Sequence, residues 1–195
     1  MPGPHSARLI AAMGALGLLT GCVSFGSKPP PQLLTLSSPG IDPSIEPQGP
    51  AIAVLDPETP RKLDAVRVPV QVNATSIAYV KDAQWVDTPR HLFGKLLTER
   101  FAANGILTLD PAQFPSASGR RLVGTLSEFG IDAKSKMAIV TYEATLTTGE
   151  SGDIKRKRFT ASMPVRHIKA NRIGAPIDKA AQQVAEEVVA WVKLN

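Results

Sequence analysis

The hydrophobic pattern changes period several times along the chain, and each change marks an element. Ala51-Ile52-Ala53-Val54-Leu55, between Pro50 and Asp56-Pro57, is a short unbroken apolar run, as expected of a strand covered on both faces and placed centrally in a sheet. Val66, Val68, Val70 and Val72 alternate with polar or small residues in a proline-interrupted stretch and read as a second strand. Ile77 to Trp85 is the next strand-like segment, and it leads directly into a helix signal. There, Asp87 or Thr88 can cap, Pro89 suits the first helical position, and Leu92, Phe93, Leu96, Leu97 and Phe101 fall on one face. Asn104-Gly105 ends this helix, predicted over 89–103, and Ile106 to Leu109 follows as a short strand.

Three longer alternating segments come next. Arg121 to Ile131 places Val123, Thr125, Ser127, Phe129 and Ile131 on one face. Met137 to Thr147 does the same with Ala138, Val140, Tyr142, Ala144 and Leu146, and Ile154 to Val165 with Phe159, Ala161, Met163 and Val165. Together they predict an antiparallel meander. From Pro176 to Lys193, Ile177, Ala181, Val184, Val188 and Trp191 recur at helical spacing opposite Lys179, Gln183, Glu186 and Glu187, a second amphipathic helix. The expected fold class is α/β: a mixed, largely antiparallel sheet with two packed amphipathic helices in a single domain, without internal repeats.

The beginning of the chain follows a different logic. A positively charged start ending in Arg8 precedes an apolar run from Leu9 to Leu19, which is closed by Thr20-Gly21-Cys22. Those eleven residues fall well short of the roughly 20 needed to cross a bilayer. The arrangement is that of a secretory signal whose cleavage site is replaced by a lipid-attachment site. Leu19-Thr20-Gly21-Cys22 resembles a bacterial lipobox, which implies removal of residues 1–21 and acylation of Cys22, the only cysteine, by chains such as palmitate. Residues 22–50 are rich in Pro, Ser and Gly and read as a lipidated N-terminus and tether, with Gln32 to Leu36 as a short edge strand added to the domain. Residues 51–195 then form the domain. Val23 rather than Asp follows the cysteine, which by analogy with enterobacterial sorting favours an outer membrane anchor with the domain facing the periplasm.

Composition narrows the function more by exclusion than by assertion. With 43% hydrophobic and 20% charged residues the chain can bury a core, and one cysteine permits no internal disulfide. The net charge of +5 is modest and mostly scattered, too weak to argue for nucleic acid. Lys155-Arg156-Lys157-Arg158 is the one dense cluster. On an alternating strand at least two of these four would point inward unless that end of the strand projects or lies at an edge. Its functional reading is contact with anionic lipid or an acidic partner surface. His91 and His167 have no metal-ligand spacing, and His91 is expected to be exposed. No nucleophile elbow, phosphate loop or C-x-x-C occurs. Carboxylates such as Asp56, Glu58, Asp82, Asp87 and Glu128 do not define an acid–base pair by spacing. No catalytic residue, cofactor or metal is therefore expected.

The lipobox, the Pro-rich tether and the segment Tyr79 to Pro89, with its Tyr-x5-Trp-x3-Pro pattern running into the helix, resemble the ABC-type transport auxiliary lipoprotein family, the PqiC-like proteins. The similarity extends from about Leu33 to Trp191. It implies a non-enzymatic lipoprotein component of an MCE-type intermembrane lipid transport system, docking the conduit at the outer membrane. The implied partners are a periplasmic MCE-domain protein with its ABC permease and ATPase, membrane lipid through Cys22, and further copies of the chain in an oligomeric ring. The alternative is a lipoprotein of another envelope assembly that binds lipopolysaccharide or peptidoglycan.

Overall fold

The computed structural model describes residues 32–40, 42, 44–110, 113, 119–148 and 152–195. It has seven strands and two α-helices, with the fold class expected. The strands are β1 (Ile52–Val54), β2 (Arg67–Asn73), β3 (Ser76–Gln84), β4 (Thr108–Leu109), β5 (Arg121–Asp132), β6 (Met137–Thr148) and β7 (Asp153–Pro164). The helices are α1 (Pro89–Ala103) and α2 (Ala170–Lys193).

The long meander of β5, β6 and β7 is antiparallel throughout. The other edge of β5 is shared: β1 pairs with it in parallel at Arg121 and Leu122, Glu58 bridges Thr125, and β2 pairs in parallel at Ile131 and Asp132. Thus β1 and β2 lie end to end along one neighbour, interrupted by a 3-10 turn over Arg61–Leu63. Outside them, β4 pairs with β1 and β3 with β2. The expected interior place of β1 holds, because it has a strand on each side.

Both helices cover the same face of this sheet. Phe93 of α1 meets Tyr142 of β6 at 5.3 Å between ring centroids, and Trp191 of α2 meets Phe159 of β7 at 5.7 Å. Tyr142 and Phe159 are directly opposed across the two strands. Trp85 is almost wholly buried against Phe129, at 5.2 Å. Each such side chain contributes about 2 kcal/mol of apolar burial, and aromatic geometry adds about 1 kcal/mol.

Three local expectations need correction. In β5 the buried residues are Leu122, Leu126, Phe129, Gly130 and Ile131, not an uninterrupted odd-numbered row. Leu126 opposes Tyr142 while Glu128 opposes Thr141, so Ser127 is an extra residue, a β-bulge that switches the inward face halfway along the strand. At the start of α1, Thr88 holds the N-cap position but makes no side-chain capping bond, and its Oγ1 is buried without a partner among the described residues. Asp87 instead accepts the Thr88 backbone N–H at 2.6 Å. Finally, α2 begins at Ala170, a turn and a half before Pro176, which lies inside the helix and leaves the Arg172 carbonyl without its usual donor.

Leu34 and Ser37 pack against α2, and Gln48 reaches the end of α1. Leu34 forms a bridge pair with Trp85, which is what the structure holds of the edge strand expected over 32–36. Beyond it, Ser37 donates to Asp178 and Gln182 donates to the Ser37 carbonyl, both residues on α2. The Gln48 N–H then reaches the Gly105 carbonyl at the end of α1. Among the described residues no helix is long and apolar enough to cross a membrane.

Candidate functional site

The basic cluster lies in the first half of β7, the outermost strand, so the edge-strand reading accounts for its exposure. Cross-strand register assigns each side chain to a face. Lys155 opposes Leu146 and Lys157 opposes Ala144, on the helix-covered side; Arg156 opposes Thr145 and Arg158 opposes Glu143, on the bare side. The inward pair escapes burial because it stands at the rim, past the end of α2. Lys155 Nζ donates to Asn195 Oδ1 at 2.9 Å, and Lys157 lies over the Phe159 ring at 5.1 Å. Cations beside a helix C-terminus are electrostatically favoured, which is a structural reason for Lys155. Arg158 and Glu143 approach to 3.8 Å, an exposed contact worth little in water.

The bare face of the sheet forms a trough of mixed character, lined by hydroxyls and charged groups among apolar atoms. Two adjoining hollows of about 770 and about 590 Å³ share Arg158. The first is floored by Thr141 and Thr160, whose hydroxyls meet across β6 and β7 at 3.1 Å, and walled by the Lys62–Glu128 ion pair at 2.7 Å. The second adds Arg156, Thr125, Thr145 and Glu58. Gly130 lets β2 come close: a Cβ there would stand 2.5 Å from the Pro69 carbonyl oxygen. The signal for the trough in the sequence is the other half of the β6 alternation, Ile139, Thr141, Glu143, Thr145 and Thr147. Such a surface offers hydroxyls, cations and carboxylates for binding.

His91 is half exposed, on the outer side of α1. Its Nε2 lies 3.3 Å from Asp56 Oδ2 and its Nδ1 lies 3.2 Å from Asp87 Oδ1, so a carboxylate engages each ring nitrogen. The Thr88 backbone N–H holds the Asp87 carboxyl below the usual carboxylate range. His167 is exposed in the connection between β7 and α2. Asp82, in β3, is exposed with a left-handed φ of 58°. Burial pushes the Tyr142 phenol up, and its hydroxyl has no hydrogen-bond partner among the described residues. No group of three His, Cys, Asp or Glu suited to a metal occurs among the described residues. Cys22 lies outside the described residues.

The described residues thus form a single α/β domain with a basic edge strand and a sheet face that no helix covers. The family model for the ABC-type transport auxiliary lipoprotein component matches residues 33–189, and the chain belongs to that family. It is thus a member of a lipoprotein family that serves ABC-type transport, which is not an enzymatic family. No curated protein matches the chain. Among solved structures, a protein of Xanthomonas campestris assigned to the DUF330 family model shares the fold, with a TM-score of 0.68 at 17% identity over 84% of this chain and 94% of that one. An uncharacterized protein matches with a TM-score of 0.61 at 12% identity, covering 84% of this chain and all of the other. At these identities the likeness concerns the fold.

Proposed function

We propose that this chain is a non-enzymatic, lipid-anchored component of an MCE-type intermembrane lipid transport system, attached through Cys22 to the outer membrane with its domain in the periplasm. In that position it docks the transport conduit, whose inner-membrane end carries an ABC permease and ATPase. The observation that carries the reading is the family match, which covers nearly the whole folded part of the chain. The surface supports it. Lys155, Arg156, Lys157 and Arg158 stand on an outer strand whose free backbone edge and positive charge suit an acidic partner segment, added as a further strand.

Affinity purification of the native, membrane-extracted protein tests this directly. The expected companions are an MCE-domain protein and the permease and ATPase. Replacing all four basic residues by Ser should reduce that recovery at least about tenfold while leaving the melting temperature within about 2 °C, since exposed substitutions away from packed features are nearly neutral. Recovery of peptidoglycan fragments or lipopolysaccharide in place of an MCE protein would favour the other envelope reading. Failure to recover any such companion, with normal outer-membrane permeability after deletion of the gene, would sink the docking role.

A further inference from the structure

A second basic surface lies at the opposite end of the domain, and the family match does not account for it. The β5–β6 turn carries Lys134 and Lys136; the β7–α2 connection and the first turn of α2 carry Arg166, Lys169 and Arg172. These segments meet: Met137 pairs with Pro164, and the Val165 N–H donates to the Lys136 carbonyl at 2.8 Å. All five basic side chains are exposed. The carboxylate in the same two segments, Asp132, is turned back on its own loop by the hydroxyl and N–H of Ser135, each at 2.6 Å. The tip of the β2–β3 hairpin reaches the same end, since Gln71 pairs with Asp132, and it exposes Val72 and Ile77.

Lys134 lies beside the Asp132 carboxylate, but local stability does not explain the other charges. Lys136 occupies a left-handed backbone position, φ 55°, where Gly or Asn is cheaper. Lys169 and Arg172 stand at the positive end of α2, at a terminus with no side-chain capping bond and no acidic residue in its first turn. The path of the N-terminal chain adds an independent constraint. Leu34 packs on Gly174, one turn into α2, and twelve residues separate it from Cys22, a reach of at most about 43 Å. The domain is about 36 Å long along the 24 residues of α2. A membrane at Cys22 therefore meets the Lys134–Arg172 end with slack in the chain, and meets the β7 end only if residues 22–33 run back along most of the domain.

We propose that this end, carried by Lys134, Lys136, Arg166, Lys169 and Arg172 and flanked by Val72 and Ile77, rests on an anionic phospholipid bilayer and orients the domain with the basic half of β7 pointing away from it. The orientation rests on the acylation of Cys22; the surface does not. Each basic residue near an anionic membrane is worth about fivefold in binding.

The lipidated protein, reconstituted into vesicles of phosphatidylcholine alone or mixed with phosphatidylglycerol, tests both by amide hydrogen exchange. Residues 133–136 and 165–172 should exchange more slowly in the anionic vesicles only. K134E/K136E/K169E should lose that difference, a drop of at least about a hundredfold in the docked-to-free ratio. K155E/R156E/K157E should keep it. Equal exchange in the two vesicle types, or slowing at 155–158 instead, overturns the proposal, as does equal slowing by a soluble acidic polypeptide in neutral vesicles. Mass spectrometry of the purified protein reads the acyl chain itself. Should it be lacking, sedimentation of the same chain with the two vesicle types tests the surface alone, and equal binding to both overturns it.

Discussion

At the scale of single residues, the contacts that set the shape of the sheet are steric and depend on what is absent. Gly124 lies in β5 beneath the Tyr142 ring, and a Cβ added there would stand 2.6 Å from Cζ of that ring and closer still to the Glu143 carbonyl oxygen. The ring cannot retreat easily, because Phe93 lies against it at 5.3 Å. An alanine in a strand otherwise gains about 0.5–1 kcal/mol over glycine in backbone entropy. Overpacking a closed site costs about 1–3 kcal/mol, so here the contact wins. Gly124→Ala should lower unfolding stability by about 1–2 kcal/mol in urea titration; an unchanged midpoint would mean that the Tyr142 ring moves freely.

Among the elements, what was legible in the sequence was whatever repeats locally. Helix α1 announced both ends, through Pro89 at its first position and Asn104-Gly105 at its last, and Gly105 indeed takes a φ of 70°. The face of β6 was readable because no bulge interrupts it. In β5 the same reasoning failed past one point, since Ser127 shifts the register by one and only the partner strand reveals it. The trough was hidden for a related reason: Lys62, Arg158 and Glu128 come from three segments whose meeting no spacing encodes. The placement of Ser37 belongs here too, since its partners on α2 lie more than 140 positions away in the chain. Gln182 is its central fastening, reaching the Ser37 carbonyl at 2.6 Å and Ser37 Oγ at 3.1 Å while accepting from Arg100 of α1. Because Arg100 Nε is already buried without a partner, Gln182→Ala should destabilise by about 1–3 kcal/mol. Amide exchange should quicken at residues 34–37, and a variant that exchanges there at the native rate would show that Leu34 alone holds the segment.

For the whole molecule, charge and anchor point to a division of labour between two ends. One basic end sits where the N-terminal chain approaches α2, and the other, on β7, lies about 36 Å away along that helix. The proposed docking would need this separation, since a surface that receives a conduit must stand clear of the membrane that holds it. Cys22→Ala removes the proposed anchor without touching either end, and it lies twelve residues before Leu34, where contact with the domain begins. Its unfolding midpoint should match the native protein, within about 0.5 kcal/mol. Its location should not: with each buried CH2 of an acyl chain worth about 0.8 kcal/mol, loss of the chains should move most of the protein from membrane to soluble fractions. The basic end predicts a remainder on the membrane that leaves at high salt, because attraction to anionic lipid is screened over about 8 Å at physiological ionic strength. Fractionation at low and high salt separates the two contributions. A Cys22→Ala protein that stays membrane-bound in high salt would argue against lipid attachment at this residue, and one that is released yet restores outer-membrane permeability in a deletion strain would refute docking from the membrane.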